Sequence, residues 1–279
     1  MRINKNIASL NIYRAYSENL AKQSSSLGRI SSGVKINSAK ENPNAIAQSE
    51  RFRMQIKGLQ MATRNIQDGI SMVQTADGGL EGITSSLQRV RELILQAGGA
   101  TSSADKDVLQ KEINQMLAGV DDIANNTDFN GVKLLADDDP TNDNKGSIVL
   151  EMVSGANVGE KIDIPKYNIT KEKLFPTGVD VYKTDESLKL VDDAIDVVIG
   201  TRSKYGALEN RFESSYNSTI EISDKTEVAE SGIRDTDLAE EMMEFSKYNI
   251  LVEAGNAMMA QSNKLPQDAL SILQNVRSR

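Results

Sequence analysis

The two ends of this 279-residue chain carry the same spacing of apolar residues. Within the first 34 residues, and again from residue 238 onward, apolar side chains recur at three- and four-residue steps. These residues include Ile3, Ile7, Leu10, Leu20 and Leu27 near the start, and Leu238, Met242, Phe245, Val252, Leu270 and Leu273 near the end. A stripe with a period of about 3.5 residues is typical of a helix that packs on another helix. The pattern therefore predicts that the two termini pair as helices.

The longest periodic segment predicts a long helix from Ile56 to Ile94, extending roughly 58 Å at about 1.5 Å per residue. Residues 40–44, Lys-Glu-Asn-Pro-Asn, have turn chemistry and are predicted to form a linker before this helix. Gly98 and Gly99 are predicted to end it. A rod suits this pattern better than a thick globular core.

The middle of the chain predicts a helix, a hairpin and a return helix. Ser102 and Asp105 offer an N-cap and a first-turn acid for a helix that should pack antiparallel on the long one. The alternating apolar residues of 148–152 and 162–164 flank a turn sequence and predict a β-hairpin near 147–164. A loop-rich stretch leads to a return helix from about Thr184. The predicted fold class is mainly α, a long antiparallel helical bundle or coiled coil with a small β-hairpin and paired termini.

Composition restricts the chemistry available to this chain. It contains no Cys and no His, and 4% of its residues are aromatic. Thiol nucleophiles, imidazole bases and the usual zinc and copper ligand sets are excluded, so we expect no enzyme, no metal site and no cofactor. A formal net charge of -8 argues against nucleic-acid binding. No apolar run is long enough to span a membrane, and residues 1–10 are too polar for a secretory signal.

The N-terminal segment has too few apolar side chains to offset the conformational entropy lost when it becomes ordered. A pair of terminal helices would also leave its outer sides in water. We therefore predict termini that are disordered in the monomer and become helical only in a larger assembly.

Several motifs of this chain closely resemble those of bacterial flagellin. They are Ser-Ser-Gly-Val-Lys-Ile-Asn-Ser-Ala-Lys at 31–40, Ile-Lys-Gly-Leu at 56–59, Asp-Gly-Ile-Ser at 68–71, Leu-Gln-Arg-Val-Arg-Glu-Leu at 87–93, Phe-Asn-Gly-Val-Lys-Leu-Leu at 129–135 and Ala-Gln-Ser-Asn-Lys-Leu-Pro-Gln at 260–267. The resemblance covers nearly the whole chain. One departure, Glu-Asn-Pro-Asn at 41–44, is similar instead to the hook-filament junction protein. The motifs at 87–93 and 129–135 favour the filament subunit.

The resemblance implies a structural subunit that polymerises into the bacterial flagellar filament for swimming motility. The apolar residues of the two termini named above would then be the residues that pack between subunits. Residues 1–44 and 236–279 would form the inner coiled-coil domain, and residues 45–235 the outer helical domain with its hairpin. The variable outer domains of many flagellins would be missing. The alternatives are the hook-filament junction protein, or a secreted coiled-coil adhesin that would explain the heptads but not the motifs.

The resemblance also implies partners and a location. The subunit would be extracellular and exported without a cleaved signal peptide. Its partners would be further copies of itself, the flagellar export apparatus, a chaperone that binds the C-terminal region, the filament cap and the hook-junction proteins. No nucleic acid or membrane partner is implied.

Two further sets of residues carry competing interpretations. Arg89, Leu93 and Glu112 match the flagellin surface that the animal Toll-like flagellin receptor contacts, and the alternative is an ordinary solvated or subunit-contact face. The acidic run at 137–139 with Asp143 suggests calcium, but Gly and Glu do not fall at the EF-hand positions. A solvated acidic loop is favoured there.

Overall fold

The structure of this protein is a computed structural model that describes residues 6–99, 102–136 and 148–277, without the side chains at 148, 269, 270 and 272–277. Its elements are α1 (Ile7–Ser32), α2 (Pro43–Ala97), α3 (Ser103–Asn126), β1 (Asp128–Phe129), β2 (Val132–Lys133), β3 (Ile148–Val153), β4 (Lys161–Lys166), α4 (Lys171–Leu174), α5 (Thr184–Arg234) and α6 (Leu238–Arg277). The mainly α fold class with paired termini is confirmed. Ile3 and the side chains of Leu270 and Leu273 lie outside the described part.

Both ends of α1 are fixed by local hydrogen bonds. The Asn6 side chain accepts a hydrogen bond from the Ser9 N–H at 3.1 Å and so caps the helix. At the other end Gly33 adopts φ 71°, and its N–H donates to the Arg29 carbonyl. This left-handed glycine ends the helix.

The prediction that residues 40–44 form a linker is wrong in part, because α2 already begins at Pro43. The Ala45 N–H donates to Asn42 Oδ1 at 3.1 Å, which makes Asn42 the helix cap. Proline is well suited to the first helical position, where its missing N–H costs no intrahelical bond. The helix therefore runs for 55 residues, and it ends at Ala97 as predicted.

Residues Gln55–Lys225 form one compact unit, which we call unit 2. Its core is built from buried apolar residues of α2, α3, α5 and the hairpin of β3 and β4. The predicted capping of α3 is confirmed: Ser102 and Asp105 form a reciprocal capping box. An added Cβ at Gly82 would lie 3.4 Å from Ile123, and Arg89 contacts Glu112, so α3 runs antiparallel to α2.

Two hairpins belong to unit 2. The predicted hairpin is confirmed, since β3 pairs antiparallel with β4 and Leu150 lies opposite Ile164. A second, smaller hairpin of β1 and β2 turns at Asn130 and Gly131 and was not predicted. Its strands of two residues are too short to show an alternating pattern, although Asn-Gly is itself a hairpin signal.

Residues Met1–Met54 and Thr226–Arg279 form the other compact unit, unit 1. In it, α1 packs along α6. The residues that follow α1 also pair with those that follow α5: the Lys35 N–H donates to the Arg234 carbonyl, and the Thr236 N–H to the Gly33 carbonyl. Among its described side chains, all those classed as buried are polar, namely Ser26, Ser49, Thr226, Glu241 and Ser262.

Candidate assembly surface on the terminal helices

The contact between α1 and α6 is lined by many polar residues, and we call it the seam. Its described members recur at three- and four-residue steps: Ser9, Ile12, Tyr16, Asn19, Gln23, Ser26 and Ile30 of α1, with Glu241, Phe245, Tyr248, Val252, Gly255, Met259 and Ser262 of α6. Asn6 Nδ2 donates to the Ser262 carbonyl at 2.9 Å, and Ser9 Oγ donates to Asn263 Oδ1 at 3.1 Å. The pairing of helices was predicted, but the polar character of the contact was not.

The far end of the seam holds a buried carboxylate. Glu241 is 7% exposed and lies 3.5 Å from Arg29 Nη1, measured at its Oε1 atom. Among the described residues, neither this oxygen nor the buried Arg29 Nε has a hydrogen-bond partner. Charge therefore holds this pair together, rather than a network of hydrogen bonds.

The apolar residues that predicted the helix pair lie mostly outside the seam. Of the predicted packing residues that the structure describes, Phe245 and Val252 lie in the seam. The remaining six are exposed in the single chain: Ile7, Leu10, Leu20, Leu27, Leu238 and Met242. The partner terminal helix therefore does not cover these six side chains. Their packing between subunits stays a prediction.

Helix α6 exposes large apolar residues in several directions. Besides Leu238 and Met242, it exposes Met243, Ile250, Leu251, Met258 and Leu265. At about 100° per residue, Met242 and Leu251 point to opposite sides of the helix. A helix that is apolar around its circumference is normally buried on all sides. We call these residues, together with Ile7, Leu10, Tyr13, Leu20 and Leu27 of α1, the outward apolar residues.

The three predicted receptor residues have different environments. Arg89 Nη2 lies 3.2 Å from Glu112 Oε1, and its Nη1 lies 3.1 Å from Glu92 Oε2. Arg89 is exposed, and its hydrogen bond to Glu92, followed in size of effect by that to Glu112, raises its pKa. Leu93, in contrast, is 1% exposed and belongs to the core of unit 2. Its side chain is not available at the surface of the single chain, so the receptor prediction depends on Arg89 and Glu112.

The described residues hold neither a cluster of three or more potential metal-ligating side chains nor a helix apolar and long enough to cross a membrane. The acidic run at 137–139 and Asp143 lie outside the described residues.

Comparison with known proteins identifies the family. The sequence profile of the bacterial flagellin N-terminal helical region matches residues 3–139, and that of the C-terminal helical region matches residues 188–273. The flagellin of Bacillus subtilis strain 168 is 38% identical, and the alignment covers 98% of this chain and 100% of the relative. The chain belongs to the bacterial flagellin family. The flagellar filament 31.3 kDa core protein of Treponema maltophilum is 33% identical over the same shares of both chains.

This flagellin is therefore a structural subunit that polymerises into the bacterial flagellar filament, outside the cell. The crystal structure of Bacillus cereus FlgL is similar in fold, with a TM-score of 0.51, 17% identity, and coverage of 65% of this chain and 99% of that one. At that identity it supports the fold alone. Because the full-length relatives are flagellins and filament core proteins, the junction-protein alternative is not favoured.

Proposed function

We propose that copies of this flagellin pack against one another in the filament through the outward apolar residues of α1 and α6. One observation carries the proposal: the described buried side chains of unit 1 are polar, while many of its large apolar residues are exposed. A surface that exposes this many large apolar side chains is typical of an interaction site. Burying it between copies would supply the hydrophobic contribution that unit 1 lacks.

Unit 1 would then form the filament core and unit 2 the outer domain. The predicted inner segments, 1–44 and 236–279, fall within unit 1, and residues 45–54 and 226–235 belong to that unit as well. We expect unit 1 to be the part of the dilute monomer that proteases cut first, because its helices lack an apolar core among their described residues. Limited proteolysis followed by mass spectrometry tests this. Terminal helices as resistant as unit 2 in dilute solution would contradict it.

Seeded elongation tests the packing surface directly. Monomer carrying Leu20→Lys is added to short filament fragments, and growth is followed by electron microscopy and sedimentation. A charged side chain at an apolar contact should stop or strongly slow elongation, because the ammonium group loses its water without gaining a partner. Asn11→Lys is the matched control, since Asn11 is an exposed polar residue of the same helix.

Normal growth of the Leu20→Lys protein would show that this stripe is not an interface. Equal inhibition by Asn11→Lys would point to a general effect of added charge. A chain truncated before residue 37 should fail to elongate the fragments, because it lacks α1 entirely.

The remaining partners follow from family membership and are part of the proposal. They are the flagellar export apparatus, a chaperone that binds the C-terminal region, the filament cap and the hook-junction proteins. A chaperone suits α6, whose exposed apolar residues need cover before assembly. Export would take place without removal of a signal peptide. The N-terminal sequence of protein recovered from filaments tests that point.

The animal Toll-like flagellin receptor is proposed to contact Arg89 and Glu112. Both are exposed, and their ion pair presents a positioned guanidinium on α2. In a reporter-cell assay, Arg89→Ala should reduce signalling, and Arg211→Ala, at an exposed position on α5, should leave it unchanged. Undiminished signalling by the Arg89→Ala protein would remove this site from the proposal.

A further inference from the structure

The polar residues of the seam form contacts along its whole length. Near one end, Asn6 and Ser9 contact Ser262 and Asn263. In the second half of α1, Gln23 Nε2 donates to Asn249 Oδ1 at 2.9 Å. At the other end, Arg29 pairs with Glu241. All four contacts agree on a single antiparallel alignment of α1 with α6.

A steric contact marks the same alignment. A Cβ added at Gly255 would lie 3.4 Å from Tyr16 Cδ2, 3.6 Å from Tyr16 Cβ and 3.9 Å from Tyr16 Cα. The helices thus approach closely where the tyrosine lies over a residue without a side chain. A shift by one helical turn would place Tyr16 near Val252 or Met259, which have larger side chains.

Apolar seams specify alignment weakly, since one apolar pair replaces another when helices slide by a turn. Polar residues in a seam specify alignment at some cost in stability, because a shifted arrangement leaves them without partners. The largest such penalty falls on Glu241, whose carboxylate is buried. A shift by one turn would place it opposite Ser26 or Gly33, neither of which carries a positive charge.

We propose that the polar seam, and above all the Arg29–Glu241 pair, fixes the alignment of α1 on α6 and thereby sets how the outward apolar residues of the two helices are presented together. Arg29 and Glu241 are positioning residues in this role. The alignment is a property of one chain. Only its consequence for packing between copies depends on the proposed function.

Cysteine cross-linking can measure this alignment, because the natural chain contains no cysteine. One reporter carries Ser9→Cys with Asn263→Cys, two positions whose side chains are in contact. The second carries Ser9→Cys with Met259→Cys, which is one helical turn away on α6 and reports an alignment shifted by one turn. Each is oxidised within the full chain, in dilute solution and in filaments, and intrachain disulfide is quantified by mass spectrometry.

We expect Arg29→Glu to lower the ratio of aligned to shifted cross-link by about tenfold or more, because two carboxylates would then face each other in the seam. The double reversal Arg29→Glu with Glu241→Arg should restore the ratio. Arg14→Glu makes the same change of charge at an exposed position of α1 and should leave the ratio unchanged.

An unchanged ratio in the Arg29→Glu protein would overturn the proposal. So would a changed ratio that the double reversal does not restore, or an equal change in the Arg14→Glu protein. If Arg29→Glu prevents cross-linking altogether, the double reversal decides: recovery supports the pair, and failure to recover overturns it. Failure of the proposed function would look different, since Leu20→Lys would then elongate filaments normally whatever the cross-linking ratio.

Discussion

The two compact units of this flagellin distribute their side chains in opposite ways. Unit 2 buries apolar residues from three long helices and a hairpin in one continuous core. In unit 1 the described buried side chains are polar, and many of the large apolar ones are exposed. Burial of apolar surface is the main favourable contribution to the free energy of folding, so the two units differ in the source of this contribution. Unit 2 obtains this contribution from its own chain, and under the proposed function unit 1 obtains most of it from other copies.

This difference also predicts that unit 1 opens more readily than unit 2 in the unassembled chain. A unit held together by polar contacts and a few apolar ones has little to lose when it opens. Under the proposed function, assembly would couple folding of unit 1 to binding, since the interface stabilises only the ordered form.

The largest expected effect comes from comparing the two units by one leucine-to-alanine substitution in each. Leu80 is 0% exposed in unit 2, and Leu20 is 45% exposed in unit 1. Leu80→Ala should lower the free energy of unfolding of the dilute chain by about 2–5 kcal/mol, because it leaves a cavity in a packed core. Leu20→Ala should change it by less than about 0.5 kcal/mol. Urea denaturation followed by circular dichroism measures the free energy of unfolding of both variants. Similar losses in the two variants would contradict the proposed difference between the units.

The sequence could reveal which residues of the terminal helices are apolar, but not which side of each helix is covered. Ile7, Leu10 and Leu20 form the stripe that predicted a helix pair, yet the seam lies next to them. The neighbours expected to cover the stripe are other copies, and no pattern within one chain specifies them. The seam did leave a signal, since Asn19 and Ser26 recur at heptad spacing, but polar residues at such positions resemble a solvated face.

The predicted boundary of a helix is wrong where the same residue type can form a turn or begin a helix. Asn42 and Pro43 were interpreted as a turn, and in the structure they cap and begin α2. Ser102 was interpreted correctly because Asp105 follows at the spacing of a capping box. Core positions of unit 2 were the most predictable, because their partners lie within the same chain. The stripe of α3, from Leu109 to Val120, is buried as the pattern indicates.

The next largest effect tests how tightly unit 2 is packed, at two adjacent glycines of α2. A Cβ at Gly79 would lie 2.7 Å from Thr127 Oγ1 and 2.8 Å from Leu135 Cδ1, whereas a Cβ at Gly78 would meet nothing within 4 Å. Gly79→Ala should therefore destabilise the chain by about 1–3 kcal/mol. Gly78→Ala should stabilise it by up to about 1 kcal/mol, because alanine favours helix over glycine.

Thermal unfolding, monitored at a helix-sensitive wavelength, shows whether each alanine variant is less or more stable than the wild type. If both alanine variants stabilise the protein, the contact at Gly79 is looser than the structure indicates, and the contrast in packing between the units is smaller.

A smaller effect is expected from an ion pair at the surface of unit 2. Arg202 Nε lies 2.9 Å from Asp77 Oδ1, and Nη2 lies 3.1 Å from Oδ2, so the pair is bidentate and joins α5 to α2. The hydrogen bond to Asp77 raises the pKa of Arg202. Arg202→Ala should cost about 1 kcal/mol, since the pair is only partly exposed. Arg202→Lys should cost less.

Chemical denaturation of both variants, with Arg211→Ala as the exposed control, measures this contribution. A loss comparable to that of Leu80→Ala would mean that polar contacts, and not the apolar core, dominate unit 2 as well as unit 1.

The smallest expected effect concerns the turn between β3 and β4, where stability should depend on pH. The Glu160 carboxylate accepts hydrogen bonds from Asn157 Nδ2 at 2.9 Å and from the Asn157 N–H at 3.0 Å, and these bonds lower the pKa of Glu160. A lowered folded-state pKa means that the stabilisation is complete above the unfolded-state pKa and is lost as pH falls through the folded-state pKa. Because the group is largely exposed, the loss should be a few tenths of a kcal/mol at most. NMR titration should show the Asn157 amide shifting at that lowered pKa in the wild type and not in Glu160→Gln. If the Asn157 amide signal instead shifts at or above the ordinary pKa of a glutamate, this account of the turn is wrong.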